Sequence, residues 1–211
     1  MNIRLWDKSK VGTLIVGQFR TGTHFLEKVV AESFQESVLR PDEICTNNQI
    51  DQFVELSQHS PTYKVAILNN FTPKFYLTDN ELLSKWHVIH LTRTDLVGHF
   101  ISDWFWRLHD GQRRYHVPEI RHHNTDYAAY RSNMSDPVEY DINLVIFWLQ
   151  EQLINYHVPA DIRIDYNELA SLETDKAKWM PNSYGDIKLE DLVTNHAEIY
   201  TLLKNFKFKN D

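Results

Sequence analysis

The sequence predicts an α/β fold, with a mostly parallel central sheet and helices on both of its faces. Three observations predict it. Short, wholly apolar runs recur along the chain, as strands buried on both faces require. Between them lie stretches whose apolar residues return every three or four positions. The 211 residues are 42% hydrophobic and 13% aromatic, enough for one sizeable core, and the length argues for a single domain over residues 1–211.

The elements follow in order. Thr13-Leu14-Ile15-Val16 is an apolar run ending at Gly17 and predicts a first buried strand. From Thr23 onward Phe25, Leu26, Val29, Val30 and Phe34 recur at helical spacing, so a helix follows at once. Val65-Ala66-Ile67-Leu68 predicts a second strand, stopped by Asn69-Asn70. A helix start at Asn80–Lys85 precedes a third strand, His87-Val88-Ile89-His90-Leu91. Asp95 then stands as a cap before Leu96, Val97, Phe100, Ile101 and Trp104, a further helix. Residues 110–135 are rich in arginine, histidine and tyrosine with little periodicity, and read as a long excursion or lid over the active face. Pro137 to Tyr156 carries the longest helical pattern and leads into a fourth strand at Asp161–Asp165. In such sheets ligands sit beyond the carboxyl ends of the strands.

Charge narrows the function classes. Charged residues make up 24% of the chain, close to the globular average. The net charge of −7 argues against a nucleic-acid coat, which needs basic surface to displace counterions. An anionic ligand must then be held by a local basic pocket. Cys45 is the single cysteine and has no internal disulfide partner. Met1–Lys10 lacks the layout of a signal peptide, and no apolar run approaches the ~18 residues of a membrane span. The expectation is a cytoplasmic protein with neither membrane nor nucleic-acid partner; oligomeric state is unreadable.

The strongest local feature is Gly17-Gln18-Phe19-Arg20-Thr21-Gly22-Thr23-His24, between the first strand and the first helix. Backbone N–H groups in such a turn, backed by a helix N-terminus, form an anion site. Arg20 adds a permanent cation, and Thr21 and Thr23 add hydroxyls. Gly-x-x-x-x-Gly opens a Walker A loop, but Thr23-His24 stands where Lys-Ser/Thr would reach the phosphates and Mg²⁺. A kinase or ATPase reading is weakened by that. A second feature is Arg93 at the end of the third strand, with Ser102 nine residues on. A third is Arg163-Ile164-Asp165-Tyr166-Asn167-Glu168-Leu169.

Together these segments resemble sulfotransferases that use 3′-phosphoadenosine 5′-phosphosulfate (PAPS), over about residues 12–36, 86–106 and 160–170. The loop is similar to that family's Pro-Lys/Arg-Ser/Thr-Gly-Thr-Thr pattern, with Phe19 in place of proline and His24 in place of a hydroxyl residue. The resemblance implies a P-loop-like architecture and makes Arg20 the catalytic cation, with Thr21, Gly22, Thr23 and His24 on the 5′-phosphosulfate. It sets Phe25 against the adenine, Arg93 and Ser102 on the 3′-phosphate, and Tyr166 near the adenosine. The Arg93–Ser102 spacing is closest to bacterial carbohydrate sulfotransferases. The family's Arg-Lys-Gly loop is not recognisable in Tyr184-Gly185-Asp186-Ile187-Lys188.

Transfer to an alcohol calls for a general base. Asn69-Asn70 occupies the place of the cytosolic members' histidine and cannot serve. The resemblance to carbohydrate and protein-tyrosine members, which place a glutamate in the loop after the first helix, makes Glu43 the first candidate. Glu27 is the second, close to where the resemblance to some bacterial members implies a catalytic glutamate but offset by about one residue, which rotates a helical side chain by ~100°. His24 is the third. The acceptor implied is a small-molecule or carbohydrate hydroxyl, and Arg107, Arg113, Arg114 and Arg121 with Tyr115, His116 and His122 would suit an anionic or sugar acceptor. Eleven histidines raise a metal reading, but His122-His123 and His87/His90 lack companion carboxylates at ligand spacing, so no metal is expected. Two competing readings stand beside this one: a P-loop phosphotransferase, and a catalytically silent nucleotide-binding relative.

Overall fold

The computed structural model describes residues 4–18, 21–34, 38–39, 50–69, 80–108, 136–175, 177–179 and 187–208. They fall into two compact units, one of residues 1–94 with 152–179 and one of residues 95–151 with 180–211.

The first unit is built on a five-stranded sheet. Its strands are β1 (Gly12–Gly17), β2 (Val38–Leu39), β3 (Tyr63–Asn69), β4 (Trp86–Thr92) and β5 (Ile162–Asp165). They lie in the order β2-β3-β1-β4-β5, and every neighbouring pair is parallel. The α/β class with a parallel sheet expected from the apolar runs is therefore present, and all four expected strands exist with boundaries shifted by one or two residues. The two-residue β2 at the sheet edge carries no pattern long enough to announce it.

Side chains alternate across a strand, so continuous apolar runs must supply both faces of the sheet. Leu14, Val16, Ala66, Leu68 and Val88 pack on one face with Phe53 of α2 (Ile50–Leu56) and Leu82 and Leu83 of α3 (Asn80–Ser84). Trp86 closes that cluster. Its ring stacks on Phe53 at 5.8 Å, and its indole N–H donates to Ser57 Oγ at 2.8 Å. Ile15, Val65, Ile67, Ile89, Leu91 and Ile164 face the other way, onto Leu26, Val29 and Val30 of α1 (Thr23–Phe34). Each such fully buried aliphatic side chain contributes about 1.5–3 kcal/mol.

The second unit has its own core. Leu96, Phe100, Ile101 and Trp104 of α4 (Leu96–Leu108) pack with Val145, Trp148 and Leu149 of α5 (Ile142–Tyr156) and Ile199 and Leu203 of α6 (His196–Asn205). Asp95 caps α4 as its position suggested: its Oδ1 accepts from Gly98 N at 3.2 Å and its carbonyl from His99 N. The helical pattern from Pro137 is shorter than the sequence suggests, because residues 137–141 do not join α5. Val138 instead bridges to Val193, and Tyr140 exchanges hydrogen bonds with the Asn195 side chain. Asp141 Oδ1 then accepts from Asn143 N at 2.8 Å and starts the helix. No helix among the described residues is long and apolar enough to cross a membrane.

Candidate functional site

The strand order singles out one place. After β1 the chain fills the β3 side of the sheet, then crosses to β4 and β5 on the other side. The carboxyl end of β1 is thus the switch point where an open parallel sheet leaves a crevice. Gln18, Thr21 and Gly22 lie there.

Its described residues form a tight strand-to-helix turn. Thr21 is buried, and its hydroxyl donates to Gln18 O at 2.7 Å, closing the turn. That hydroxyl was expected on phosphate; here its proton serves the backbone. Gly22 has φ +88°, a conformation that L side chains rarely adopt, and its carbonyl accepts from Phe25 N and Leu26 N at 3.1 Å. Gly22 thereby acts as the N-cap of α1, and Thr23 and His24 supply the first N–H groups of that helix. A Cβ on Gly17 would lie 2.7 Å from Thr21 Oγ1 and 3.2 Å from Thr23 Cγ2. Both glycines are therefore required by close approach.

Strand register delivers the cation. Thr92 and Asp165 are partners in the β4–β5 ladder, so the next residues, Arg93 and Tyr166, emerge side by side. The Arg93 guanidinium lies 4.1 Å from the Tyr166 ring centroid, and Arg93 is buried. A guanidinium this close over a ring suits arginine better than lysine. Tyr166 meets Trp179 edge-on at 4.8 Å, and Trp179 meets Phe25 at 5.0 Å. Phe25, Trp179, Tyr166 and Arg93 form one continuous chain of planar groups.

The motif around Tyr166 divides between two jobs. Asp165 and Glu168 form a reciprocal capping box on the 3-10 helix Tyr166–Leu172, with Asp165 Oδ1 accepting from Asn167 N and Glu168 Oε2 from Asp165 N. Asp165 Oδ2 also accepts from Thr94 N at 3.0 Å, tying the end of β4 to β5. Leu169 is fully buried and sits where a Cβ on Gly22 would come within 2.4 Å of it. The segment thus braces the turn, and Tyr166 alone presents a ring.

No family model, curated protein or solved structure matches the chain.

Of the remaining candidates, His24 and Glu27 come together on the first turns of α1. His24 Nδ1 is 3.6 Å from Glu27 Oε2, with His24 exposed and Glu27 half-buried. Ser102 is buried on α4 in the second unit. Phe19, Arg20, Glu43 and residues 110–135 lie outside the described residues. Trp179 is the member of the aromatic chain that sequence reasoning missed. It stands alone between Lys178 and Met180, with no periodic neighbours to mark it.

His90 adds one electrostatic feature. Burial, reinforced by the Arg163 guanidinium, pushes its imidazole down to about 4. It is neutral at physiological pH, and its Nδ1 has no hydrogen-bond partner among the described residues. No group of three or more His, Cys, Asp or Glu able to hold a metal occurs among the described residues.

Proposed function

We propose that the chain is a sulfotransferase that moves a sulfuryl group from PAPS to a hydroxyl of a small molecule or carbohydrate. The observation that carries the reading is the turn between β1 and α1, capped by Gly22 in a left-handed conformation at the switch point of the sheet. Helix N-termini at such turns favour anions. The resemblance of the loop and of the Arg93 segment to the family supplies the choice of anion.

PAPS supplies an activated sulfur bonded to a bisphosphate leaving group. The first N–H groups of α1 and Arg20 would bear the charge that grows on the bridging oxygen as its bond to sulfur breaks. The new bond forms between sulfur and the acceptor oxygen, whose proton passes to a base. His24, oriented by Glu27 at 3.6 Å, is the base this geometry favours among the described residues. The edge-to-face cluster of Phe25, Trp179 and Tyr166 offers ring surface for adenine, and Arg93 a cation for the 3′-phosphate.

Calorimetric titration with adenosine 3′,5′-bisphosphate and with ATP tests this reading. Selective binding of the bisphosphate that collapses in Arg93→Ala is expected. Equal ATP binding that the substitution leaves intact would move a phosphotransferase to the front. Bisphosphate binding without turnover on any hydroxyl acceptor would mark a catalytically silent relative.

A further inference from the structure

A second basic concavity lies at the opposite end of β1. A groove of about 570 Å³ opens where the chain enters β1 and β3, lined by Lys8, Lys10, His59, Ser60, Thr62 and Tyr63 with Phe34 and Val11. β1 has six residues at ~3.3 Å each, so the groove is separated from the Gly22 turn by most of a strand length, on the order of 17 Å. One compact ligand cannot occupy both places.

The lining is cationic in a chain of net charge −7. It holds two lysines and a histidine, and none of the described residues that line it is a carboxylate. Asp7, adjacent to Lys8 in sequence, is not among them. Its Oδ1 accepts from Ser9 N and Ser9 Oγ and lies 3.7 Å from the Arg4 guanidinium. Those hydrogen bonds from Ser9 hold the Asp7 carboxyl below its ordinary range, and it stays charged while engaged away from the groove. Ser60 and Thr62 add hydroxyl groups beside the lysines.

The floor is fixed before any ligand arrives. Phe34 and Tyr63 stack at 4.2 Å, and the Tyr63 hydroxyl accepts from Asp7 N at 3.0 Å and is shared with Thr13 Oγ1 at 2.9 Å. Lys8 Nζ lies over the Phe34 ring at 5.7 Å, and Lys10 Nζ donates to Ser84 O at 2.7 Å. The Lys8 ammonium is thereby held over a ring of the groove, which lowers the ordering cost of binding, while Lys10 reaches the groove from a side chain anchored at Ser84 O.

We infer that this groove binds a small phosphate- or sulfate-bearing ligand, at a site separate from the Gly22 turn and independent of the reaction proposed for it. Size, charge and hydroxyl donors point to a single anionic group on a compact body.

The test is amide-resolved NMR of the full chain titrated separately with inorganic pyrophosphate and with a sulfated disaccharide. Shifts at Lys8–Val11 and His59–Tyr63 that saturate are expected in at least one arm, and the arm that responds names the anion class. In Lys8→Gln/Lys10→Gln the apparent affinity at those amides should fall at least ten-fold, while shifts at Thr21–Leu26 persist. Shifts confined to Thr21–Leu26, no shifts in either arm, or groove affinity unchanged in the double variant would each overturn the inference.

Discussion

The two ends of β1, each proposed to hold an anion, are built by different means. At the carboxyl end the proposed attraction is written mainly into the backbone, a left-handed Gly22 and the first N–H groups of α1, and only Arg93, placed by the ladder next to Tyr166, adds a side chain. At the amino end it is written into side chains, with two lysines and a histidine set around a rigid aromatic floor. Backbone devices cannot be altered without disturbing the fold, because the same atoms hold strand to helix. Side-chain devices can. Stability and binding should therefore separate under mutation at one end and move together at the other.

Gly22→Ala gives the largest effect. The left-handed conformation costs a residue with a Cβ about 1–2 kcal/mol. Contact with Leu169 at 2.4 Å adds about 1–3 kcal/mol of overpacking. A loss of about 3 kcal/mol in urea unfolding is expected, together with loss of bisphosphate binding. Lys8→Gln/Lys10→Gln should cost only about 1 kcal/mol, the loss of the Lys10 hydrogen bond to Ser84 O. Equal losses at both ends would erase the distinction.

Histidines near the two ends of β4 sharpen it next. His87 is partnered: Nε2 meets Arg4 O at 2.9 Å and Nδ1 lies 3.6 Å from Asp161. His90 is buried and pushed from 6.5 to about 4, so the unfolded chain takes up its proton before the folded one does. The contribution of His90 to stability is full above pH 6.5, falls as pH drops through the window to about 4, and levels off below it. The full loss is about 3 kcal/mol. Urea midpoints between pH 7.5 and 4.5 should show this slope in the parent and a shallower one in His90→Gln. A slope indifferent to that substitution would assign the acid sensitivity elsewhere.

Arg93→Ala comes third. Deleting one charged donor set should weaken the bisphosphate by about 1.5–3 kcal/mol, at least ten-fold. Arg93→Lys keeps the charge but loses the guanidinium over the Tyr166 ring, and should fall between. If lysine restores full affinity, the ring contact is packing and the charge alone matters.

The same contrast governs what could be read in the sequence. Leu14-Ile15-Val16 and Val65–Leu68 announce buried strands because both faces of a covered parallel sheet demand apolar side chains. The turn was legible because its glycines are required by geometry. Residues recruited through the ladder were only half legible. Arg93 stood out as a cation at a strand end, but its partner Tyr166 follows from the Thr92–Asp165 register, which no single sequence displays. Trp179 arrives on a segment without periodicity, and Asp165 and Glu168 resemble a cofactor motif while acting as a cap. The break before Ile142 was hidden because nothing in the sequence before Ile142 marks the pairing of Val138 with Val193 and of Tyr140 with Asn195. The groove was invisible, since Lys8 and Lys10 meet His59–Tyr63 only when β1 and β3 align.

Tyr63→Phe makes the smallest change and the finest test. The ring and its stack on Phe34 remain, while the hydroxyl shared by Asp7 N and Thr13 Oγ1 is lost. Removing one such buried hydrogen-bonding group costs about 1 kcal/mol. That loss falls on the floor of the groove, so pyrophosphate shifts at Lys8–Val11 should weaken by a few-fold. The Gly22 turn, held by its own backbone at the far end of β1, should bind adenosine 3′,5′-bisphosphate as before. If calorimetry instead shows both ligands weakening together, the two ends are coupled through β1 and the strand transmits what its register fixes.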